Sequence, residues 1–126
     1  MIRILIVDDS RSVHAFVGDC LAERKDIQAD HAHDGMEAIA RIEAEKTPFD
    51  LILLDWEMPR MTGPETLSKI KSIACPSPVV MMTTRNSVED ITKTLELGAT
   101  EYLMKPFTAE ILLDKIDSIL GAANAA

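Results

Sequence analysis

The sequence predicts an α/β fold built on a five-stranded parallel sheet, with five helices distributed over both faces. Five short apolar segments alternate with five segments of helical period, and strict strand–helix alternation builds parallel sheets. Three of the apolar segments are continuous runs, as expected of strands buried on both faces. The 126 residues are predicted to form one domain over residues 1–121 and a short disordered tail over 122–126.

The first half of the chain contains two strand–helix units. A strand is predicted over residues 2–7, and Ser10 is placed to cap the helix that follows. A weaker strand over residues 28–33 leads to Asp34, which with Glu37 resembles a capping box at the start of the second helix. The second helix is predicted to contain the apolar residues Met36, Ile39, Ala40 and Ile42.

The second half continues the alternation. Strands are predicted over residues 50–54, 79–82 and 101–104. Pro64, Ser87 and Thr108 mark the starts of the three helices after them, because proline fits a first turn and hydroxyls cap it. The predicted inner face of the fourth helix is Val88, Ile91 and Leu95.

The charge balance excludes several classes of partner. Thirteen Lys and Arg against twenty-one Asp and Glu give a net charge of -8, which argues against direct binding to nucleic acid or anionic lipid. No span approaches the roughly 18 apolar residues of a membrane helix. Cys20 and Cys75 are far apart and are predicted to be reduced thiols, so a cytoplasmic location is expected.

Polar side chains collect where the predicted strands end. Asp8 and Asp9 follow the first strand, Asp55 the third, Thr83 the fourth and Lys105 the fifth. The carboxyl ends of parallel strands meet at one edge of a sheet, where ligands bind. Any one of these acids could simply cap a helix, but capping does not explain why four strand ends match in role.

The predicted crevice has the parts of a phosphoryl-transfer site. Clustered carboxylates repel one another, and Mg²⁺ resolves this because it prefers carboxylate oxygen and retains waters. The crevice lacks a His/Cys cluster, so zinc is disfavoured, and the chain has no P-loop for a nucleotide. Asp55 stands alone opposite Lys105 and is the candidate nucleophile, which would form an acyl phosphate.

The motifs VDDS, LLDWEMPRMTG, VVMMTT and YLMKPF occur in this order between Ile2 and Leu120. With them the chain resembles the receiver domain of bacterial two-component response regulators, especially the single-domain chemotaxis type. The resemblance implies a flavodoxin-like sheet with strand order 2-1-3-4-5.

The resemblance also assigns the metal site. Asp55 would be the phosphoacceptor, and Asp9, Asp55 and the main-chain carbonyl of Glu57 would hold Mg²⁺. Asp8 would bind the metal through a water.

Four further residues match the family's pattern. Lys105 would pair with the phosphoryl group, and Thr83 would move to hydrogen-bond it. Tyr102 matches the aromatic residue that rotates inward as Thr83 moves. Pro106 follows a peptide bond that is often cis in the family.

Three positions depart from the family's commonest pattern. Thr84 stands where a smaller residue is usual and would restrict access to the phosphate. Glu57 and Arg85 flank the site, and we hypothesise that they form an ion pair over its mouth and slow dephosphorylation.

Three histidines lie outside these motifs. His31 and His33 share a strand face and could suggest a metal, but a structural place at the sheet edge is the simpler interpretation. His14 lies on the first helix and is expected to be structural.

The resemblance predicts a phosphorylation switch that receives its phosphoryl group from a sensor histidine kinase or a histidine phosphotransfer protein. It would catalyse only transfer to its own aspartate and its own dephosphorylation. An effector would bind the surface of the fourth helix, fifth strand and fifth helix. A haloacid-dehalogenase-type phosphatase is the rival, but its DxD motif is absent here. Whether the chain stands alone or is the receiver module of a longer regulator stays open.

Overall fold

The computed structural model describes the backbone of residues 1–124 and the side chains of residues 1–121. The strands are β1 (Ile2–Val7), β2 (Ile27–Ala32), β3 (Leu51–Asp55), β4 (Val79–Thr83) and β5 (Glu101–Met104). The helices are α1 (Arg11–Ala22), α2 (Gly35–Ala44), α3 (Gly63–Ser72), α4 (Val88–Glu96) and α5 (Ala109–Asn124). Helix α5 therefore extends into the predicted tail, of which residues 125 and 126 lie outside the described part.

The five strands form one parallel sheet in the order β2-β1-β3-β4-β5, which confirms the predicted fold class. β1 and β3 lie at the centre of the sheet, so their apolar runs are covered on both faces. The pairing of Asp55 with Met82 and of Thr83 with Met104 brings the carboxyl ends of β3, β4 and β5 to the same edge.

Alternate strand residues point into two hydrophobic clusters, one on each face of the sheet. One cluster joins the strands to α1 and α5, and the other joins them to α2 and α3. Cys20 lies in the first cluster and Cys75 packs against the second, and both are free thiols as predicted. Within residues 1–124, no helix is long and apolar enough to cross a membrane.

Side-chain caps begin the helices at the predicted places. Ser10, Asp34 and Ser87 each accept a hydrogen bond from the main-chain N–H three residues later. Helix α3 also begins with a full capping box between Thr62 and Glu65, which the sequence analysis did not single out. These caps satisfy main-chain donors that would otherwise lack partners in the first helical turn.

The predicted inner face of α4 is wrong. Val88 is 79% exposed and Leu95 is 45% exposed, while Thr94 is buried in their place. The Thr94 hydroxyl donates to the main-chain oxygens of Asp90 and Ile91, so its burial leaves no unpaired polar group. Two of the predicted core residues therefore form an apolar patch on the outside of this helix.

Of the four apolar residues predicted on helix α2, Met36 is 62% exposed and Ala40 is also exposed. Gly35 and Ala38 are the buried residues of this helix. Gly35 lies so close to the side chains of Thr66 and Met61 that a Cβ atom would overlap both. Helix α2 thus packs through Gly35 against Thr66 of α3 and Met61 of the preceding loop, while Met36 lies on its exposed side.

Candidate functional site

The residues predicted at the strand ends do converge in the structure. Asp8 follows β1, Asp55 and Thr83 are the last residues of β3 and β4, and Lys105 follows β5. The main-chain N–H of Lys105 donates to the Thr83 oxygen at 2.8 Å, which continues the β4–β5 pairing past the strand ends. The parallel register therefore delivers these side chains to one crevice.

Three carboxylates form an acidic pocket in that crevice. One oxygen from each of Asp8, Asp9 and Asp55 lies within 4.8 Å of the other two. Asp8 and Asp55 are buried, whereas Asp9 is exposed. The three residues offer only oxygen donors, which fits Mg²⁺ and not a metal that prefers sulfur or nitrogen.

Lys105 provides a positive charge between two of these acids. Its Nζ atom lies 3.0 Å from Asp8 Oδ2 and 2.9 Å from Asp55 Oδ1. Burial alone would lower the pKa of Lys105, but its hydrogen bonds to Asp55 and Asp8 outweigh that effect and raise the pKa. The ammonium group therefore stays charged and holds both carboxylates in place.

The Asp55 carboxyl is an acid in an unfavourable environment. Burial raises its pKa from 3.8 to about 6, against the lowering effect of Lys105. The negative charges of Asp8 and Asp9 contribute to this rise in the pKa of Asp55. A second positive charge at this pocket would stabilise the ionised, nucleophilic form of Asp55.

Main-chain contacts shape the loops around the pocket. Gly63 donates its N–H to the Trp56 oxygen at 2.8 Å, which closes the β3–α3 loop over the end of β3. A Cβ atom at Gly63 would overlap the main-chain oxygen of Asp55, so only glycine fits this approach. The peptide bond between Lys105 and Pro106 is cis, as the sequence analysis anticipated.

Thr83 is linked to the surface through Arg85. The hydroxyl of Thr83 accepts a hydrogen bond from the main-chain N–H of Arg85 at 3.0 Å. The Tyr102 hydroxyl donates to the main-chain oxygen of Arg85 at 2.6 Å. The two residues predicted to switch together thus contact the same residue of the β4–α4 loop.

Comparison with known proteins decides the family. The model of the response regulator receiver domain matches residues 4–117 of this chain.

The chain is a response regulator receiver domain.

Solved structures agree with this assignment. The chemotaxis protein CheY4 of Vibrio cholerae matches with a TM-score of 0.86 at 34% identity, covering 94% of this chain and 98% of that one. A two-component response regulator from Clostridium difficile gives a TM-score of 0.91 at 33% identity, covering 99% of this chain and all of that one. Response regulator receiver domains are generally phosphoacceptor switches and not classical enzymes.

Two curated relatives are larger regulators. Response regulator MprA of Mycobacterium bovis is 35% identical over 119 residues, which are 94% of this chain and 50% of that protein. Transcriptional regulatory protein CiaR of Streptococcus pneumoniae is 37% identical over 120 residues, which are 95% of this chain and 52% of that protein. The chain thus spans about half the length of these relatives, and the predicted chemotaxis subtype is not established.

The receiver domain contains the ion pair predicted at the mouth of its site. Arg85 Nε lies 2.7 Å from Glu57 Oε1, and a second guanidinium nitrogen lies 3.4 Å from Asp90. The guanidinium carbon also lies 4.8 Å from the centroid of the Trp56 ring. Thr84, the third departure from the family pattern, is exposed beside this arrangement.

Sequence analysis did not assign His14 a place at the receiver's site. His14 is 6% exposed, and its Nε2 atom lies 2.7 Å from the main-chain oxygen of Asp8. His14, His31 and His33 do not form a three-ligand cluster like that of the acids within the described residues. The sequence held no signal for this contact, because the partner of His14 is a main-chain carbonyl, which every residue possesses.

Proposed function

We propose that Asp55 accepts a phosphoryl group from a phosphohistidine, and that this modification switches the protein between two conformations. The observation that supports the proposal is the convergence of Asp55 with Lys105 at 2.9 Å and with the carboxylates of Asp8 and Asp9. In transfer, an Asp55 oxygen bonds to phosphorus while the P–N bond to the donor imidazole breaks. The bonding electrons stay on that nitrogen, which takes up a proton from water.

Asp8, Asp9, Asp55 and the main-chain carbonyl of Glu57 are the proposed Mg²⁺ ligands, with Asp8 acting through a water. Bound there, Mg²⁺ would supply the positive charge that phosphoryl oxygens require during transfer. Lys105 adds a second positive charge on the opposite side and orients the Asp55 carboxylate. Thr83 is proposed to donate its hydroxyl hydrogen to a phosphoryl oxygen once Asp55 is modified.

The proposed signal travels from Thr83 to the outer surface. A Thr83 hydroxyl that turns toward the phosphoryl group must give up the hydrogen bond from the Arg85 N–H, which lies in the loop before α4. Tyr102 is bound to that same loop and is proposed to turn inward with it. Phosphorylation would then shift an existing equilibrium between two arrangements of this region.

The face formed by α4, β5 and α5 is the proposed effector site. Large apolar side chains are exposed on all three elements. They are Val88 and Leu95 on α4, Met104 on β5 and Ile111 on α5. Exposed apolar side chains on three elements support a protein-binding surface here, and the net charge of -8 argues against direct nucleic-acid binding.

A sensor histidine kinase or a histidine phosphotransfer protein is the proposed phosphodonor, and the proposed compartment is the cytoplasm. The lengths of MprA and CiaR support a receiver module within a longer regulator, whereas the near-complete coverage of CheY4 supports a stand-alone switch. Chemotaxis and transcriptional control are therefore both possible outputs. Glu57, Thr84 and Arg85 are proposed to set the lifetime of the phosphorylated form and not the acceptor chemistry.

The test uses acetyl phosphate and Mg²⁺ with the intact chain. Mass spectrometry should detect one phosphoryl group on the wild-type protein and none on Asp55→Asn. Asp50→Asn is the matched control, because Asp50 immediately precedes β3 and lies at the opposite end of it from Asp55. Trp56 follows Asp55 directly, and its emission should change on modification. Labelling of Asp55→Asn to the wild-type extent would contradict the proposal.

A further inference from the structure

His14 lies on α1 with its ring against the turn that carries Asp8 and Asp9. Its Nε2 atom lies 2.7 Å from the main-chain oxygen of Asp8, and its Nδ1 atom lies 2.7 Å from Nδ1 of His31. The ring of His33 packs on its other side, with centroids 4.6 Å apart. His14 is thus a buried imidazole whose two nitrogens both have partners.

The direction of these hydrogen bonds follows from the partners. A carbonyl oxygen can only accept, so Nε2 of His14 must carry a hydrogen and donate it to Asp8. The two Nδ1 atoms of His14 and His31 share one hydrogen between them. Burial and the neighbouring His14 lower the pKa of His31, so His31 is neutral near pH 7.

The bond from His14 acts on the peptide group that joins the two acids of the pocket. Because a peptide group is planar, fixing the Asp8 carbonyl also fixes the amide of Asp9 and the direction in which that residue leaves. The Asp8 side chain is fixed separately, by the Ser10 N–H at 2.9 Å and by Lys105 at 3.0 Å. Asp9 is exposed, and the described side chains make no hydrogen bond or ion pair with its carboxylate, so its placement depends on the peptide before it.

We propose that His14 is a positioning residue of the cation pocket, which holds the Asp8–Asp9 peptide so that both carboxylates face Asp55. This inference rests on the proposed function, because it concerns the same site. His14 touches neither the cation nor the phosphoryl group. It acts through Asp8, and His31 acts through His14 by fixing the orientation of its ring.

The test compares His14→Gln with His14→Met in the intact chain. The two side chains have similar length and shape, but only glutamine retains an N–H that can reach the Asp8 carbonyl. Mg²⁺ alone is titrated, and Trp56 emission reports binding. His14→Met should bind Mg²⁺ about tenfold more weakly than the wild type, as is usual when an outer partner of a ligand is lost. His14→Gln should stay within about threefold of the wild type.

A second readout separates positioning from general stability. Acetyl phosphate labelling of His14→Met should require about tenfold more Mg²⁺ for half its maximal rate, yet reach the wild-type rate at saturation. His33→Leu is the matched control, since it removes a neighbouring imidazole that does not contact Asp8. It should leave the affinity for Mg²⁺ unchanged.

Equal Mg²⁺ affinities for His14→Met and His14→Gln would overturn the positioning role, whatever their unfolding midpoints in EDTA. A Mg²⁺ affinity that falls as far in His33→Leu as in His14→Met would overturn it as well. A wild-type protein that binds no Mg²⁺ would instead contradict the proposed function itself. The two failures are therefore distinguishable.

Discussion

At the scale of single residues, the burial of Asp55 in the crevice suits it to the proposed reaction and also destabilises its ionised form. It is 5% exposed, and burial opposes its charge. Lys105 compensates in part, but the pKa of Asp55 is still about 6, against its ordinary value of 3.8. The metal-free protein therefore carries an ionised carboxylate that its own folded state disfavours at neutral pH.

This imbalance gives a pH-dependent stability. The folded protein binds a proton on Asp55 more tightly than the unfolded chain does, since its pKa rises from 3.8 to about 6 on folding. The contribution to stability is present below pH 3.8 and is lost as the pH rises through 6. We expect Asp55→Asn to raise the free energy of unfolding at pH 7.5 in EDTA by about 1–3 kcal/mol.

Urea unfolding of both proteins between pH 4 and pH 8 measures this effect. The difference should shrink as the pH falls from 8 to 4, because Asp55 of the folded protein becomes protonated as the pH falls through about 6. Asp50→Asn, which removes an exposed carboxylate at the far end of β3, is the matched control. A constant difference between Asp55→Asn and the wild type across the range would contradict the assignment of the raised pKa.

The second residue-scale prediction concerns Glu57 and Arg85. Their ion pair joins the loops that follow β3 and β4, and we propose that it hinders the water that attacks the aspartyl phosphate. Glu57→Ala and Arg85→Ala should each speed loss of the phosphoryl group by about two- to fivefold, as expected for an exposed pair. The measurement is the decay of phosphorylated protein after the donor is removed.

Arg60→Ala provides the control for charge. Arg60 lies in the same β3–α3 loop and is exposed, but its partner is Asp34 and not Glu57. Arg60→Ala should leave the rate at which the phosphoryl group is lost unchanged. Were all three alanine variants to decay at the wild-type rate, the ion pair would have no part in the lifetime.

At the scale of elements, α4 differs from the other helices in what it buries. Thr94 is its buried residue, whereas Val88 and Leu95 face outward. We expect Val88→Ser and Leu95→Gln to change the free energy of unfolding by less than about 0.5 kcal/mol each. Leu67→Ala on α3, where the side chain is fully buried, should cost about 2–5 kcal/mol. Chemical denaturation of the wild type and the three variants measures these differences in free energy of unfolding.

A large loss of stability in Val88→Ser would mean that α4 packs its predicted face inward after all. Small losses in both α4 variants would leave their apolar side chains without a stability role. Such side chains are then available to an effector, and the same variants become the natural set for binding experiments.

The strands were predictable and the faces of two helices were not, for physical reasons. Continuous apolar runs such as residues 51–54 can be buried on both faces only within a sheet, so the pattern determines the place. On α4 the apolar pattern was misleading, because Thr94 satisfies its hydroxyl within its own helix and can be buried. On α2 the close approach of Gly35 to α3 depends on tertiary packing, which no local pattern encodes.

The same distinction applies to the site. Asp8, Asp55 and Lys105 were predictable because parallel strands bring their ends together and these residue types are unusual there. His14 was not, since its partner is a main-chain carbonyl, which every residue possesses. A contact to the main chain leaves no mark on the sequence of the partner.

At the scale of the whole molecule, the acidic pocket adds to a net charge of -8. A cation bound only by the folded state stabilises it in proportion to the logarithm of its concentration. We expect Mg²⁺ at one hundred times its dissociation constant to raise the free energy of unfolding by about 2.7 kcal/mol, and EDTA to abolish the gain. Thermal unfolding with and without Mg²⁺ checks this.

Sodium chloride at matched ionic strength separates site binding from screening of the net charge. Sodium chloride should give only a small part of the increase in free energy of unfolding that Mg²⁺ gives. Replacing the acceptor by Asp55→Asn should reduce the Mg²⁺-dependent part, because one oxygen ligand is then neutral. If sodium chloride reproduced the full effect, general screening and not the pocket would be responsible.

The contact between Asp8 and Lys105 joins residues 97 positions apart in the chain. During synthesis on the ribosome, the two leading acids and the acceptor emerge long before the lysine that completes their arrangement. A nascent chain therefore contains an aspartate at residue 55 but no competent acceptor. With Asp55 as the proposed acceptor, a complete site would form only when the last strand joins the sheet, so unfinished and truncated chains would neither consume phosphoryl groups nor transmit a signal.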